Sequence, residues 1–289
     1  MQGRGPKTMA FLVRAMIGST FASLAAGAER VASENNHLLF ISNTRGSAKR
    51  EADLIATLRE QRVGAVLLVG STPSDTAFDE RVASYAKDLG DVGASLVLCG
   101  RPPVNGHPEL IAVDYDHAAG IAMAVDELIR LGHRQVAYVG EARGTTTAEL
   151  RLEGFLAATR RNGREANPGL IRLANNSEDD GARAVAELLA GNHEVTAIVA
   201  MTDNIAVGAY RAARQAGRRI PEDLSVVGFD DAPVVGDLTP GLTTVRPPFY
   251  DVGVRAAEIA LGLTPARSVL IEPTFVRRGS TGIPPEYRE

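Results

Sequence analysis

The chain has 289 residues, of which 45% are hydrophobic, and its formal net charge at pH 7 is −4. An acidic chain without a concentrated basic surface is not expected to bind nucleic acid by itself. No apolar run approaches the roughly twenty residues that span a bilayer, and the run at 11–13 is interrupted by Arg14 and is too short for a signal sequence. Since Cys99 is the only cysteine, no disulfide can form within the chain. We therefore expect a cytoplasmic protein with no membrane partner.

Strand-like and helix-like segments alternate from the start of the chain, which is typical of βαβ units in a parallel sheet. In the first part we predict strands at 9–13, 38–42, 63–69 and 94–99 and helices at 21–33 and 51–60. The pattern restarts after Val113, with helices at 117–131, 150–161, 180–189 and 205–216 and strands at 135–139, 170–173, 197–200 and 224–229. A helix at 255–262 and a final strand at 269–276 follow. Two copies of one α/β pattern favour two similar subdomains.

The most informative segments are 220–231 and 242–249. The apolar stretch 224–229 suits a parallel strand that is covered on both faces. Asp230 and Asp231 end this strand at a carboxyl edge, where open α/β sheets bind ligands. The sequence of both segments closely resembles the effector-binding half of LacI/GalR-type bacterial transcription regulators.

This resemblance implies an α/β fold in which two similar, doubly wound parallel-sheet subdomains are joined by a three-segment hinge, as in type I periplasmic binding proteins. The crossings between subdomains would fall near Val113, Val245 and Val269. We therefore predict a linker remnant at 1–8, an N-terminal subdomain of 9–113 plus 245–269, and a C-terminal subdomain of 114–244 plus 270–289.

The motifs of catalysis and cofactor binding are absent from the sequence. It contains no Gly-x-Gly-x-x-Gly, no phosphate loop, no Gly-x-Ser-x-Gly and no His-Glu-x-x-His. The histidines are scattered rather than spaced for a metal site: His37, His107, His117, His133 and His193. We therefore expect no enzyme activity, no cofactor and no bound metal.

Two charged residues are candidates for ligand binding. Asp203 follows the strand at 197–200, where its carboxylate could accept hydrogen bonds from two adjacent hydroxyls of a sugar or could cap the next helix. Arg151 stands at a predicted helix start, where a cation opposes the helix dipole and is better explained by a partner. Without the resemblance, a surface charge or an ion pair with Glu153 or Glu149 would explain Arg151. With it, we favour a ligand-facing arginine.

The resemblance adds further pocket positions: Thr20, Phe21, Asp114, Thr147, Asn176 and Phe249. Phe249 could stack on a sugar or a base, or could simply pack in the core. Asn176 stands where several relatives carry an aromatic residue, Gly100 where an aspartate is common, and 14–16 where proline and aspartate are usual. The pocket therefore differs from those of the lactose and purine repressors, and a sugar, a sugar derivative or a nucleoside-like effector all remain open.

Full-length members of the family begin with a helix-turn-helix domain of about sixty residues. The sequence here begins in what would be the linker, so we expect operator DNA to be contacted only through that missing domain. No leucine heptad follows Val276, and a homodimer is the expected assembly. The alternative is a periplasmic solute-binding protein of a sugar transporter. The missing signal sequence and the regulator-like segment 226–231 disfavour it.

Overall fold

The computed structural model describes residues 8–14, 19–71, 73, 76–191 and 194–287. Apart from Thr8, the predicted linker lies outside the described residues, and so does His193. The chain divides into two compact units, each made from two separate stretches of sequence. The first unit comprises Met1–Tyr115 and Pro248–Ile271, and the second comprises Asp116–Pro247 and Glu272–Glu289. Each change of unit falls two or three residues later than the crossing expected from the sequence.

The first stretch alternates strands and helices. In chain order it contains β1 (Thr8–Val13), α1 (Ser19–Glu34), β2 (Leu38–Asn43), α2 (Ala48–Glu60), β3 (Ala65–Val69), α3 (Thr76–Gly90), β4 (Ser95–Cys99) and β5 (Ile111–Tyr115). The strands at 9–13, 38–42, 63–69 and 94–99 and both helices are confirmed within a few residues. Helix α3 was not predicted, although its buried residues recur at helical spacing: Phe78, Val82, Tyr85 and Leu89.

The second stretch repeats the alternation. It contains α4 (His117–Arg130), β6 (Val136–Gly140), α5 (Thr146–Arg161), β7 (Ile171–Leu173), α6 (Glu178–Gly191), β8 (Ala197–Ala200), α7 (Asp203–Gln215), β9 (Ser225–Phe229) and β10 (Thr243–Arg246). The chain then forms α8 (Phe249–Ala260), β11 (Val269–Ile271) and β12 (Thr274–Val276). Helix α8 begins six residues earlier than the predicted 255, directly after the prolines at 247 and 248.

Each unit contains one six-stranded sheet. The first sheet has the order β11-β5-β4-β3-β1-β2 and all its pairings are parallel. The second has the order β12-β10-β9-β8-β6-β7 and is parallel except for β12, which runs antiparallel to β10. The central strands β3, β6, β8 and β9 are buried along their whole length, as expected for a parallel sheet covered on both faces. The predicted fold class is confirmed.

The single strand predicted at 269–276 is wrong. Residues 269–271 pair with β5 in the first sheet, whereas residues 274–276 pair with β10 in the second. Pro273 lies between the two strands and has no N–H to donate to a ladder. One short extended run therefore supplies an edge strand to both units.

Helices α1 and α8 pack closely in the first unit because glycines lie at their contact. A Cβ atom added to Gly27 would lie 2.1 Å from the carbonyl oxygen of Tyr250, and one added to Gly253 would lie 2.1 Å from that of Leu24. No side chain fits at either position. Helix α8 is thereby held against α1, although the two helices are far apart in the sequence. Among the described residues, no helix is long and apolar enough to cross a membrane.

Candidate functional site

In the second unit, polar side chains follow the carboxyl ends of four neighbouring strands. Thr147 lies in the first turn of α5 after β6, Asn176 follows β7, Asp203 begins α7 after β8, and Asp230 follows β9. Because these strands are parallel, their carboxyl ends meet at one edge of the sheet, which is where open α/β sheets bind ligands. Four of the eight predicted site residues belong to the second unit: Thr147, Arg151, Asn176 and Asp203.

The carboxylate of Asp203 is held by two hydrogen bonds within the second unit. The hydroxyl of Thr244 donates to Oδ1 at 2.7 Å, and the backbone N–H of Ala232 donates to Oδ2 at 2.7 Å. The residue is only 2% exposed. Asp203 is not the helix cap considered in the sequence analysis, because Thr202 occupies that position and its hydroxyl accepts from the N–H of Ile205. Because the hydroxyl of Thr202 caps the helix, the carboxylate of Asp203 is available for contacts at the sheet edge.

Burial gives Asp203 an unusual acidity. Desolvation, assisted by the nearby charge of Asp230, raises the pKa of Asp203 to about 7. The hydrogen bonds from Thr244 and Ala232 favour the charged form but do not offset this effect. A carboxyl group with a pKa near 7 exchanges its proton under physiological conditions. Such perturbed groups are concentrated at functional sites.

Arg151 is a buried cation rather than a surface charge. Helix α5 begins at Thr146, so Arg151 lies in its second turn, and the residue is 2% exposed. Its Nη1 donates to the carbonyl of Met201 and its Nη2 donates to Oδ1 of Asp230 at 3.0 Å. The guanidinium carbon lies 3.7 Å from the ring centroid of Phe229. The partner is therefore Asp230, and the alternative ion pairs with Glu149 or Glu153 are wrong.

Asp230 was predicted to lie at the sheet edge but was not among the predicted site residues. Asp230 and Asp231 both have positive φ angles, +111° and +50°, which are strained for residues with side chains. Asp231 is fixed by ion pairs with Arg246 and Arg278. Strained backbone of this kind persists where surrounding contacts hold it, and it is concentrated at binding sites. Two adjacent acidic residues after an apolar strand were the available sequence signal.

Asn176 and Thr147 are the more accessible candidates on this edge. Asn176 is exposed, and its Oδ1 accepts hydrogen bonds from the hydroxyl of Thr202 at 2.7 Å and from Asn204 at 3.3 Å. Thr147 is half-buried. The hydrogen bond to Thr202 holds Asn176 against the residue that precedes Asp203 in the chain.

The other four predicted residues, Thr20, Phe21, Asp114 and Phe249, lie in the first unit. Thr20 and Phe21 are half-buried in the first turn of α1, and Phe21 packs edge-on against Phe11 with ring centroids 5.3 Å apart. Asp114 is buried in β5. The buried Phe249 ring packs edge-on against Tyr115 with centroids 5.3 Å apart, which matches the core-packing alternative for this residue.

The described residues contain no group of three or more His, Cys, Asp or Glu side chains that could hold a metal ion. His133 is buried and lies within hydrogen-bonding distance of Thr196, Ser225 and the carbonyl of Gly282, so it has a structural role. Burial raises the pKa of the Cys99 thiol to about 12, which makes it an unreactive core residue.

Comparisons with known proteins agree with this architecture. Residues 125–281 match the family model described as a periplasmic binding protein-like domain. The chain is 29% identical over 283 residues to the HTH-type transcriptional regulator GalR of Escherichia coli K12, covering 96% of the chain and 80% of the relative. It is 30% identical over 282 residues to the ribose operon repressor of Haemophilus influenzae, covering 96% of the chain and 82% of the relative.

A solved structure shows the same similarity. The complex of the transcriptional regulator CelR with cellobiose superimposes with a TM-score of 0.84 at 26% identity, covering 97% of the chain and 86% of that structure. These relatives are transcription regulators, not enzymes. Because the sequence matches these regulators over most of its length and folds into two units with largely parallel sheets, the chain belongs to the LacI/GalR family of transcriptional regulators. It forms the effector-binding core of such a regulator.

Proposed function

We propose that this chain binds a small sugar-like or nucleoside-like effector and thereby controls DNA binding by a LacI-type regulator. The observation that carries the proposal is the polar edge of the second unit, where Asn176, Asp203 and the Arg151–Asp230 pair lie at the carboxyl ends of adjacent parallel strands. Carboxylate, amide and guanidinium groups in such a position suit a ligand rich in hydroxyls.

The named relatives support a sugar as the effector. CelR was solved with cellobiose, and another relative is a ribose operon repressor. Both are at least 26% identical to this chain over nearly its whole length. They support the chemical class of the effector and leave its identity open.

The proposed contacts differ in their accessibility. On the second unit Asn176 and Thr147 would meet the effector first, because they are exposed or half-buried. Arg151 and Asp203 would bind it by exchanging hydrogen bonds that they now make with backbone groups. On the first unit we propose Thr20, Phe21, Asp114 and Phe249 as the contributing residues.

We further propose that the regulator is a cytoplasmic homodimer. Its operator would be contacted by a helix-turn-helix domain outside these 289 residues, since the relatives are HTH-type regulators of which the chain covers about four fifths. A twofold dimer places two such domains on two half-sites. Light scattering should give twice the chain mass of 30.5 kDa, and a monomer at tens of micromolar would contradict the dimer.

A thermal-shift screen of sugars, sugar phosphates and nucleosides tests effector binding, because a ligand that binds only the folded chain raises its melting temperature. Calorimetry with the best ligand should then show that Asn176→Ala and Asp203→Asn weaken binding about ten- to a hundredfold. Asp237→Asn is the matched control, since this exposed aspartate of the second unit lies outside the proposed site. If Asn176→Ala and Asp203→Asn bind the ligand as tightly as the control does, the effector does not use this edge.

A further inference from the structure

The first unit has a pocket at the carboxyl edge of its own sheet. Its lining follows four strands: Arg14 after β1, Thr44 and Ser47 after β2, Ser71 after β3, and Arg101 after β4. Glu51 of α2 and Phe78 and Arg81 of α3 complete one wall. The pocket contains about 410 Å³ of empty space, including its open mouth.

Arg101 is a buried cation with unused hydrogen-bond donors. It is 3% exposed, and only its Nη2 is satisfied, by the carbonyl of Val69 at 2.9 Å. Its Nε and Nη1 are buried without a hydrogen-bond partner. Desolvation lowers the pKa of Arg101 to about 10, so it is still charged at neutral pH. A buried guanidinium with free N–H groups is costly unless an acceptor completes it.

Other unused donors line the same pocket. Nε of Arg81 and Oγ of Ser71 are buried and lack a hydrogen-bond partner. The guanidinium groups of Arg81 and Arg101 both lie 5.5 Å from the ring centroid of Phe78. Cation–π contacts with Phe78 therefore place both guanidinium groups beside this pocket. Arg81 also interacts with the hydroxyl of Tyr85, whereas the described residues offer no acceptor to Nε and Nη1 of Arg101 or to Oγ of Ser71.

The described lining of the pocket carries an excess of positive charge. Three arginines, Arg14, Arg81 and Arg101, face a single acidic residue, Glu51. Burial raises the pKa of Glu51, against the opposing effect of Arg101 and Arg81. Arg14 is exposed at the mouth, beside Gly46. Among the described lining residues, the arginines therefore outnumber the acidic groups by two.

We propose that this pocket binds a phosphate group, and that the effector of this regulator is a sugar phosphate. A phosphate monoester carries about −1.5 to −2 charges at pH 7 and three strong acceptor oxygens, which matches the charge excess and the unused donors. A carboxylate carries one negative charge and would leave more of the excess uncompensated. Arginine is also suited to phosphate, because its planar fork donates two parallel hydrogen bonds. The assignment of the effector rests on the proposed function, whereas the phosphate pocket itself does not.

Inorganic phosphate is the first probe, since it tests the pocket without any sugar. Calorimetry in a buffer free of phosphate should detect its binding to the wild-type chain. The double variant Arg14→Ala/Arg81→Gln, which removes the two less buried arginines, should bind at least tenfold more weakly. Arg101→Lys, which keeps the charge and loses the fork, should also weaken binding. The control is Arg59→Ala, an exposed arginine in the last turn of α2, which should bind phosphate like the wild type.

Matched ligand pairs form the second probe: glucose with glucose 6-phosphate and ribose with ribose 5-phosphate, with gluconate as a carboxylate. We expect one phosphate ester to bind about ten- to a hundredfold more tightly than its parent sugar. The double variant should remove this difference while the parent sugar binds as before. Equal binding of gluconate and the phosphate esters would overturn the preference for phosphate.

The two probes separate the failure of this inference from that of the proposed function. If sugars bind, but phosphate neither binds alone nor strengthens their binding, the phosphate pocket is wrong and the effector function stands. If phosphate binds through the arginines, but no sugar phosphate binds more tightly than phosphate itself, the pocket stands and the assignment of the effector is wrong.

Discussion

The carboxylate of Asp203 reaches the hydroxyl of Thr244 by crossing over Gly228. The two groups are 2.7 Å apart and connect the end of β8 to β10, on the far side of β9. A Cβ atom on Gly228 would lie 2.2 Å from Oδ1 of Asp203. The absence of a side chain at one position of a buried strand therefore makes room for the charged group of the candidate site.

We expect Asp203→Asn to change the pH dependence of stability. The pKa of Asp203 is about 7 in the folded chain and about 3.9 when unfolded, so between these values the folded chain holds a proton that the unfolded chain releases. The contribution of Asp203 to the free energy of unfolding is therefore fully present below about pH 4 and is lost as the pH rises to about 7. Asparagine fits the same space and does not titrate.

Melting temperatures of the wild type and Asp203→Asn between pH 5 and pH 8 test this. The wild type should lose stability relative to the variant as the pH rises. Asp237→Asn, the exposed control, should follow the wild type. Parallel curves for the wild type and Asp203→Asn would show that Asp203 titrates normally.

Gly228→Ala should destabilise the chain, because its methyl group would displace the Asp203 carboxylate. Overpacking of this kind costs about 1–3 kcal/mol. Denaturant unfolding measures the loss. Gly90→Ala is the matched control, since a Cβ there meets no atom within 4 Å. A loss no larger than that of the control would mean that Asp203 has room to move.

Arg151 and Asp230 should show strong coupling in a double-mutant cycle. Removing either partner leaves the other charge in a poorly solvated place, so Arg151→Ala should cost about 3–5 kcal/mol. Asp230→Ala combined with Arg151→Ala should cost less than the sum of the single changes, with a coupling energy of about 0.5–3 kcal/mol. Additive losses, measured by urea unfolding, would mean that the ion pair contributes nothing of its own.

Thr202→Ala should cost about 1 kcal/mol, because it removes the N-cap of α7. Thr202→Ser keeps the hydroxyl and should retain most of this stability. Both variants can be compared by thermal unfolding. An alanine variant as stable as the serine variant would show that another group caps the helix.

The periodic elements could be predicted from the sequence, because apolar runs and helical spacing are local signals. Most strands and helices are confirmed within a few residues. The change of sheet at 272–273 could not be predicted from apolar character, since strand partners are set by tertiary contacts. The candidate site shows the same limit. Arg151 was identified, but its partner Asp230 lies 79 positions away, and a local pattern does not reveal such a contact. Thr202 rather than Asp203 caps α7, although both residue types are suited to that role.

The segment 269–276, which supplies an edge strand to both sheets, also bears on the order of folding during synthesis. An N-terminal domain generally folds first as a chain emerges from the ribosome. Here the backbone of Ala112 is hydrogen-bonded to Ser268, 156 positions later, and α8 must pack on α1 before the first sheet is covered. The first unit therefore cannot be completed until residues 248–271 have been synthesised. The second unit also needs residues 274–282, which pair with β10 and bond to Val226 and Ser225, so each unit is completed only by residues from the last part of this sequence.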